Sequence, residues 1–211
     1  MILAVCGLQR EARLLEKASV RVAIGGFDVT PDIRGIVSIG IAGALAPELE
    51  AGDAVIAERV VTACDAFETD AKWTARIAAR LPNATIGAIL GRGTIADTAE
   101  VKALLHDSSR AVAVDMESHL AAQAARTHGL PFAALRVISD RADQSLPPAV
   151  QVAMRPDGSI ALGRVLWSGA KGPGQIPALI RTGRESEKAF SALRRCLDLL
   201  GPDLRGPWSK L

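Results

Sequence analysis

Short apolar, β-branched runs that alternate with helical patterns predict an α/β layered domain built on a largely parallel sheet. Two further observations support that class. The 211 residues are 49% apolar and 23% charged, an ordinary globular composition. At that length one domain can bury about 70% of its unfolded surface, with no need for disulfide or metal. No apolar run approaches the ~18 residues of a membrane-spanning helix.

The elements follow in order. Ile2–Cys6 reads as a buried strand. Residues 9–17 read as a helix, with Leu8, Ala12 and Leu15 on one face. Val20–Ile24 is a strand ended by Gly25-Gly26, and residues 35–40 form another. The Val- and Ile-rich stretch 54–63 predicts a long strand. A helix over 70–81 stops at Leu81-Pro82-Asn83. Residues 85–90 are a strand, and Asp97 or Thr98 caps a helix running to about His106. A strand over 111–114, a helix over 117–127 ended by Gly129 and Pro131, and a strand over 132–138 complete the alternation. Beyond it only helical patterns remain, at about 148–154, 160–167, 176–181 and 184–200. Ser168–Pro177, rich in Gly and Pro, reads as a surface loop.

Composition narrows function. The net charge of +2 is uneven, with eight Lys/Arg against four Asp/Glu over residues 171–211. That excess fits a solvated face or a tail touching an anionic surface. Clustered basic and aromatic residues, the mark of a nucleic-acid binder, are missing, and there is no Tyr. Cys6, Cys64 and Cys196 are odd in number and far apart, and His106, His119 and His128 lack ligand spacing, so no metal is expected. Met1–Cys6 has no basic residue before it, unlike a signal peptide, so a cytoplasmic location is expected.

Ligands of such sheets sit at the carboxyl ends of strands. Three strand ends carry signals. Gly40-Ile41-Ala42-Gly43-Ala44-Leu45, after a strand ending at Ile39, is either a tight turn or a close approach for a ligand. Val114-Asp115-Met116-Glu117-Ser118 puts Glu117 at a helix start. There it is either a dipole-matched charge or an acceptor for two sugar hydroxyls. Ile138-Ser139-Asp140 follows the last strand, and Asp140 either caps a turn or acts as a general acid or base. Gly91-Arg92-Gly93 lacks the third glycine of a dinucleotide fingerprint, which argues against an oxidoreductase.

Together, Ser38–Val55 and Ala111–Asp143 resemble the purine nucleoside phosphorylase superfamily, which includes the methylthioadenosine/S-adenosylhomocysteine nucleosidases. The resemblance covers about residues 1–145. The tail, with Pro156-Asp157-Gly158, Pro177 and an Arg-rich last helix, looks most like the hopanoid-associated phosphorylases. It implies one domain over 1–211, its part from 145 on divergent and helical. The implied fold is a three-layer αβα arrangement with a mixed, largely parallel central sheet, and a homo-oligomer is expected.

The resemblance also implies roles. Asp140 would protonate the purine at N7. Met116 and Glu117 would bind ribose, and Ala42 and Gly43 would line the base pocket. Thr94 and Ile95 would lie against the base, although Thr94 stands where the nucleosidases often carry Phe. Glu11 would activate water in a nucleosidase, whereas Arg10 and Arg13 would hold phosphate in a phosphorylase. Ile41 replaces a family hydroxyl, leaving hydrolysis and phosphorolysis both open. The short segment between Ile24 and Gly35 would open the sugar 5′ side to a bulky apolar group. The expected reaction is therefore cleavage of an adenine nucleoside with no cofactor. Its first form is phosphorolysis of an adenosyl-hopane-type lipid, with inorganic phosphate as co-substrate and peripheral contact with the inner membrane. Its second is hydrolysis of methylthioadenosine or a similar nucleoside. A non-catalytic nucleoside-binding protein is the reading from another class.

Overall fold

Five consecutive apolar residues make β1 (Ile2–Cys6), and all five are buried because β2 (Val20–Ile24) and β3 (Gly35–Ala44) flank it in parallel. The computed structural model describes residues 1–147 and 176–208. The expected helices at 148–154 and 160–167, and most of the loop expected at 168–177, lie outside those residues. Between β1 and β2 runs α1 (Gln9–Leu14), shorter than the pattern suggests.

Strands β4 (Ala54–Val61), β5 (Ala66–Glu68), β6 (Thr85–Gly91), β7 (Ala113–Asp115) and β8 (Phe132–Asp140) join the same mixed sheet. β3 pairs with β8 in parallel, β8 with β4 antiparallel, and β4 with β6 in parallel. β6 then pairs with β7 in parallel, and β7 returns to β3 antiparallel. These five strands close a circuit, leaving β2 and β5 at the margins.

Helices α2 (Ala71–Arg80) and α5 (Ile176–Leu200) cover one side. Trp73 and Ile77 pack there with Ala189, Leu193, Leu135 and Val137. Helix α4 (Ser118–His128) lies on the other, its Ala121, Ala122 and Ala125 against Ala134, Ile138 and Ile89. Helix α3 (Ala99–Ser109) packs Val101 and Leu105 on a third cluster with Leu45 and Val114. Asp70 and Thr98 cap α2 and α3 by accepting from Trp73 and Val101 amides. The two helices expected at 176–181 and 184–200 are one, continuous through Gly183. The core side of α5 outweighs the ~1 kcal/mol that an interior glycine costs.

Candidate active site

The first correction concerns β3. The glycine-rich stretch is no turn after Ile39, because β3 runs on to Ala44. Glycine is tolerated there because bulky partners press on the strand. A Cβ on Gly40 would lie 2.5 Å from Glu11 Oε1 and 2.8 Å from Arg136 Nη1. One on Gly43 would lie 3.1 Å from Asp140 Oδ2. Register places Gly43 between Val114 of β7 and Asp140 of β8. Between β3 and β8 the pairing slips by one residue, since Ala42 faces Ile138 and Gly43 faces Asp140. Such an irregularity re-aims side chains. The extra residue, Ser139, donates to Ala42 O at 3.2 Å and to Asp140 Oδ1 at 2.6 Å.

Glu11, in the first turn of α1, points inward and is 2% exposed. Its Oε2 accepts from the amides of Gly7 (2.9 Å) and Leu8 (2.8 Å), and its Oε1 from Ile41 (2.8 Å). Burial pushes its pKa up, opposed by Arg136 and by those three amides.

Arg136 is fully buried on β8, beneath this carboxylate. Its Nε donates to Asp115 Oδ2 at 2.5 Å and its Nη2 to Ser38 Oγ at 2.6 Å, with Glu117 Oε2 3.9 Å from Nη2. Nη1 has no hydrogen-bond partner among the described residues. Glu117 is not the helix-capping charge that its position suggests, for its side chain makes no cap bond. Asp115 fills that part, accepting from Ser118 N at 3.0 Å and Ser118 Oγ at 2.6 Å. Glu117 turns toward Gly7 and Arg136 instead. Burial, countered by Arg136 but reinforced by Asp115 and Glu11, raises its pKa to about 7. Cys6 is buried beside these groups, and burial holds its thiol far above the range of a nucleophile.

Asp140 is 7% exposed and its Oδ2 is ion-paired with Lys102 of α3. Met116 is half-buried next to Glu117, and Ala42 is buried on β3. Thr94 is exposed and Ile95 half-buried, in the segment joining β6 to α3. Gly91 of β6 is in register with Asp115, which sets that segment beside the end of β7.

Arg10 and Arg13, expected at a phosphate site, stand elsewhere. Both Arg10 nitrogens engage Glu187 of α5, at 2.5 and 2.7 Å, and its guanidinium stacks on Phe190. Arg13 is exposed, lining a groove with Arg194, Leu197 and Pro202. The α-helical period carries both away from Glu11. Sequence reasoning singled out neither Arg136, Lys102 nor Ser38. A signal existed for Arg136, a lone charge within the apolar run Phe132–Ile138. Among the described residues, no cluster of three His, Cys, Asp or Glu side chains is placed to hold a metal ion.

The site thus has two centres. One is a buried carboxylate, Glu11, whose Oε1 shares the space beside Gly40 with a free guanidinium nitrogen. The other is Asp140, across Gly43. Glu117 adds a partly accessible carboxylate to the first. Such an arrangement can hold a small nucleophile at one end and exchange a proton at the other.

Comparison with known proteins gives a family and a fold. The sequence profile of the phosphorylase superfamily matches residues 8–166. The structure is similar to futalosine hydrolase of Helicobacter pylori strain 26695, with TM-score 0.66 and 16% identity over 94% of this chain and 96% of that one. It is similar to 5′-methylthioadenosine/S-adenosyl homocysteine nucleosidase of H. pylori, at TM-score 0.62 and 17% identity, covering 93% and 97% of the two chains. S-adenosylhomocysteine nucleosidase of Streptococcus pyogenes aligns at TM-score 0.59 and 17% identity, over 92% and 96%.

Proposed function

Since this chain belongs to the phosphorylase superfamily, we propose that it cleaves the N-glycosidic bond of an adenine nucleoside, with water as the nucleophile. The observation that carries the reading is the convergence of Glu11 Oε1 and Arg136 Nη1 beside Gly40. A carboxylate raised above its usual range accepts a proton from water more readily. The guanidinium nitrogen donates to the same oxygen and fixes its lone pair toward the sugar carbon. Glu117 takes the ribose hydroxyls, as its accessible, uncapped carboxylate allows. Asp140, at the far end, meets the base and passes it a proton as the bond opens.

Charge favours water over phosphate. Glu11, Asp115 and Glu117 surround Arg136, the one cation of that cluster among the described residues. A phosphate dianion entering there would face three carboxylates. Phosphorolysis would need Arg10 to leave Glu187, at the cost of a two-pronged ion pair. An apolar 5′ group, a lipid among the candidates, is supported by residues 25–34, a connection with no helix or strand between β2 and β3.

The test is adenine release from adenosine, methylthioadenosine and an adenosyl-lipid, with and without inorganic phosphate, in wild type and Glu11→Gln. The reading expects release without phosphate, free sugar as co-product and a loss of about 10²–10⁴-fold in the variant. Strict dependence on phosphate with a sugar phosphate product would overturn the water reading. No adenine from any substrate would support a binding protein.

A further inference from the structure

Asp140 does not meet its pocket as a lone carboxyl. Lys102, one turn into α3, has no exposed surface. Its ammonium donates to Asp140 Oδ2, to Arg141 O at 2.7 Å and to Gln144 O at 3.0 Å. Three acceptors take up the three N–H groups of an ammonium. The other carboxylate oxygen, Oδ1, accepts from Ser139 Oγ. Both oxygens of Asp140 therefore accept, and the pair is an ammonium and a carboxylate.

That creates a difficulty for base release, because a carboxylate has no proton to give. The nearest transferable proton lies on Lys102 Nζ. Other charges stand further off. Arg141 forks onto Asp143 at 2.9 and 2.8 Å and reaches Glu50 at 3.1 Å, all three partly exposed to solvent. Gln144 Nε2 donates to Glu185 of α5 at 2.7 Å. Asp143 feels the Lys102 charge but is solvent-exposed. Water screens these groups, whereas the Lys102–Asp140 contact is desolvated.

We infer that Lys102 is a positioning residue that supplies Asp140 with the proton it passes to the base, an inference that rests on the nucleoside-cleaving reading above. As the bond from the sugar carbon to the base breaks, its electron pair moves onto the purine ring. Oδ2 takes a proton from Lys102 Nζ, and Asp140 passes a proton on to a ring nitrogen. Asp140 ends as a carboxylate and Lys102 as a neutral amine. Water adds to the sugar and yields a proton to Glu11. Solvent returns one proton to Lys102 and removes one from Glu11 once the products leave, so the cycle closes.

The variant Lys102→Met keeps the length and removes the proton. With the ammonium gone, the proton that Asp140 passes on must come from solvent, whose supply is greatest at low pH. As pH rises that supply fails, with no lysine to replace it. The expected kcat–pH profile of Lys102→Met is close to wild type at pH 5 and down about 10²-fold at pH 8. Lys102→Arg keeps the charge but does not release its proton. It is expected to lose about 10²-fold across the whole range, with KM little changed. A loss by the same factor at every pH in Lys102→Met would mean that Lys102 merely clasps residues 141–144, and would overturn the inference. If Lys102→Met shows no cooperative melt, Lys102→Arg decides, and near-wild-type turnover there overturns it too. No adenine release by the wild type sinks the functional reading instead.

Discussion

At Glu117 the fold and the proposed ribose contact pull in opposite directions with pH. Its pKa of about 7 in the fold lies well above the ordinary carboxylate range because burial penalises the charge. The folded chain therefore holds a proton there that the unfolded chain has released. Stability from this group is full below the ordinary carboxylate pKa and is lost as pH rises through about 7. Glu117→Gln should therefore melt higher than wild type at pH 8, by roughly 1–3 kcal/mol, with little difference at pH 4. The proposed ribose contact needs the opposite form, since the carboxylate accepts from two hydroxyls with both oxygens free of a proton. KM for a ribonucleoside should fall between pH 6 and 8 in wild type and stay flat in the variant. The variant should also weaken the ribonucleoside more than its 2′-deoxy analogue, by ~1.5–3 kcal/mol. Equal losses on both would remove the ribose role. Asp140→Asn should lower turnover about 10²–10⁴-fold. It should also depress the melting temperature, because it strands the buried Lys102 ammonium. Steady-state kinetics and a thermal melt on the same sample separate the two effects. Glu117 and Asp140 were legible as candidates because each sits at a strand end, and Glu11 only through the family resemblance. Lys102 was not, for it lies mid-helix, and its importance exists only through a partner 38 residues away.

Strand β3 carries the sharpest test at the scale of an element. Gly40→Ala would press a methyl group into the space between Glu11 and Arg136, neither of which can swing into solvent. Overpacking of that kind costs about 1–3 kcal/mol. Activity should suffer far more than stability, because the intruding carbon occupies the space assigned to the nucleophile. Gly26→Ala, with no atom near its added carbon, should match wild type in both assays. The same strand shows why local reading falters. Glycines at 40 and 43 look like turn residues when only neighbours in sequence are known. They are strand residues because Arg136, Glu11 and Asp140 crowd them from elsewhere in the chain. β5 escaped notice for another reason, since three residues give alternation no room to appear. The layered class, by contrast, was plain from the apolar runs of β1 and β8, buried throughout, and of β4 and β6, buried over most of their apolar residues.

Across the whole molecule, distant segments are tied through α2. Trp73 is fully buried and its Nε1 donates to Leu204 O at 3.0 Å, while Arg76 holds the carbonyls of Gly206 and Pro207 at 3.0 and 2.6 Å. Trp73→Phe removes the indole bond and leaves the carbonyl buried, so it should cost ~1–3 kcal/mol in a denaturant titration, with kcat unchanged. The circuit of β3, β8, β4, β6 and β7 has a consequence of a different kind. A strand at the rim of a sheet can peel away alone, whereas a strand paired on both sides opens only when its neighbours do. The amides of Leu135, Arg136 and Val137 should thus exchange with deuterium only through global unfolding. Those of Ala66–Glu68 in β5 should exchange much sooner, through local opening. The buried arginine is carried on the strand that yields last, so the backbone that holds Arg136 should stay closed until the molecule as a whole comes apart.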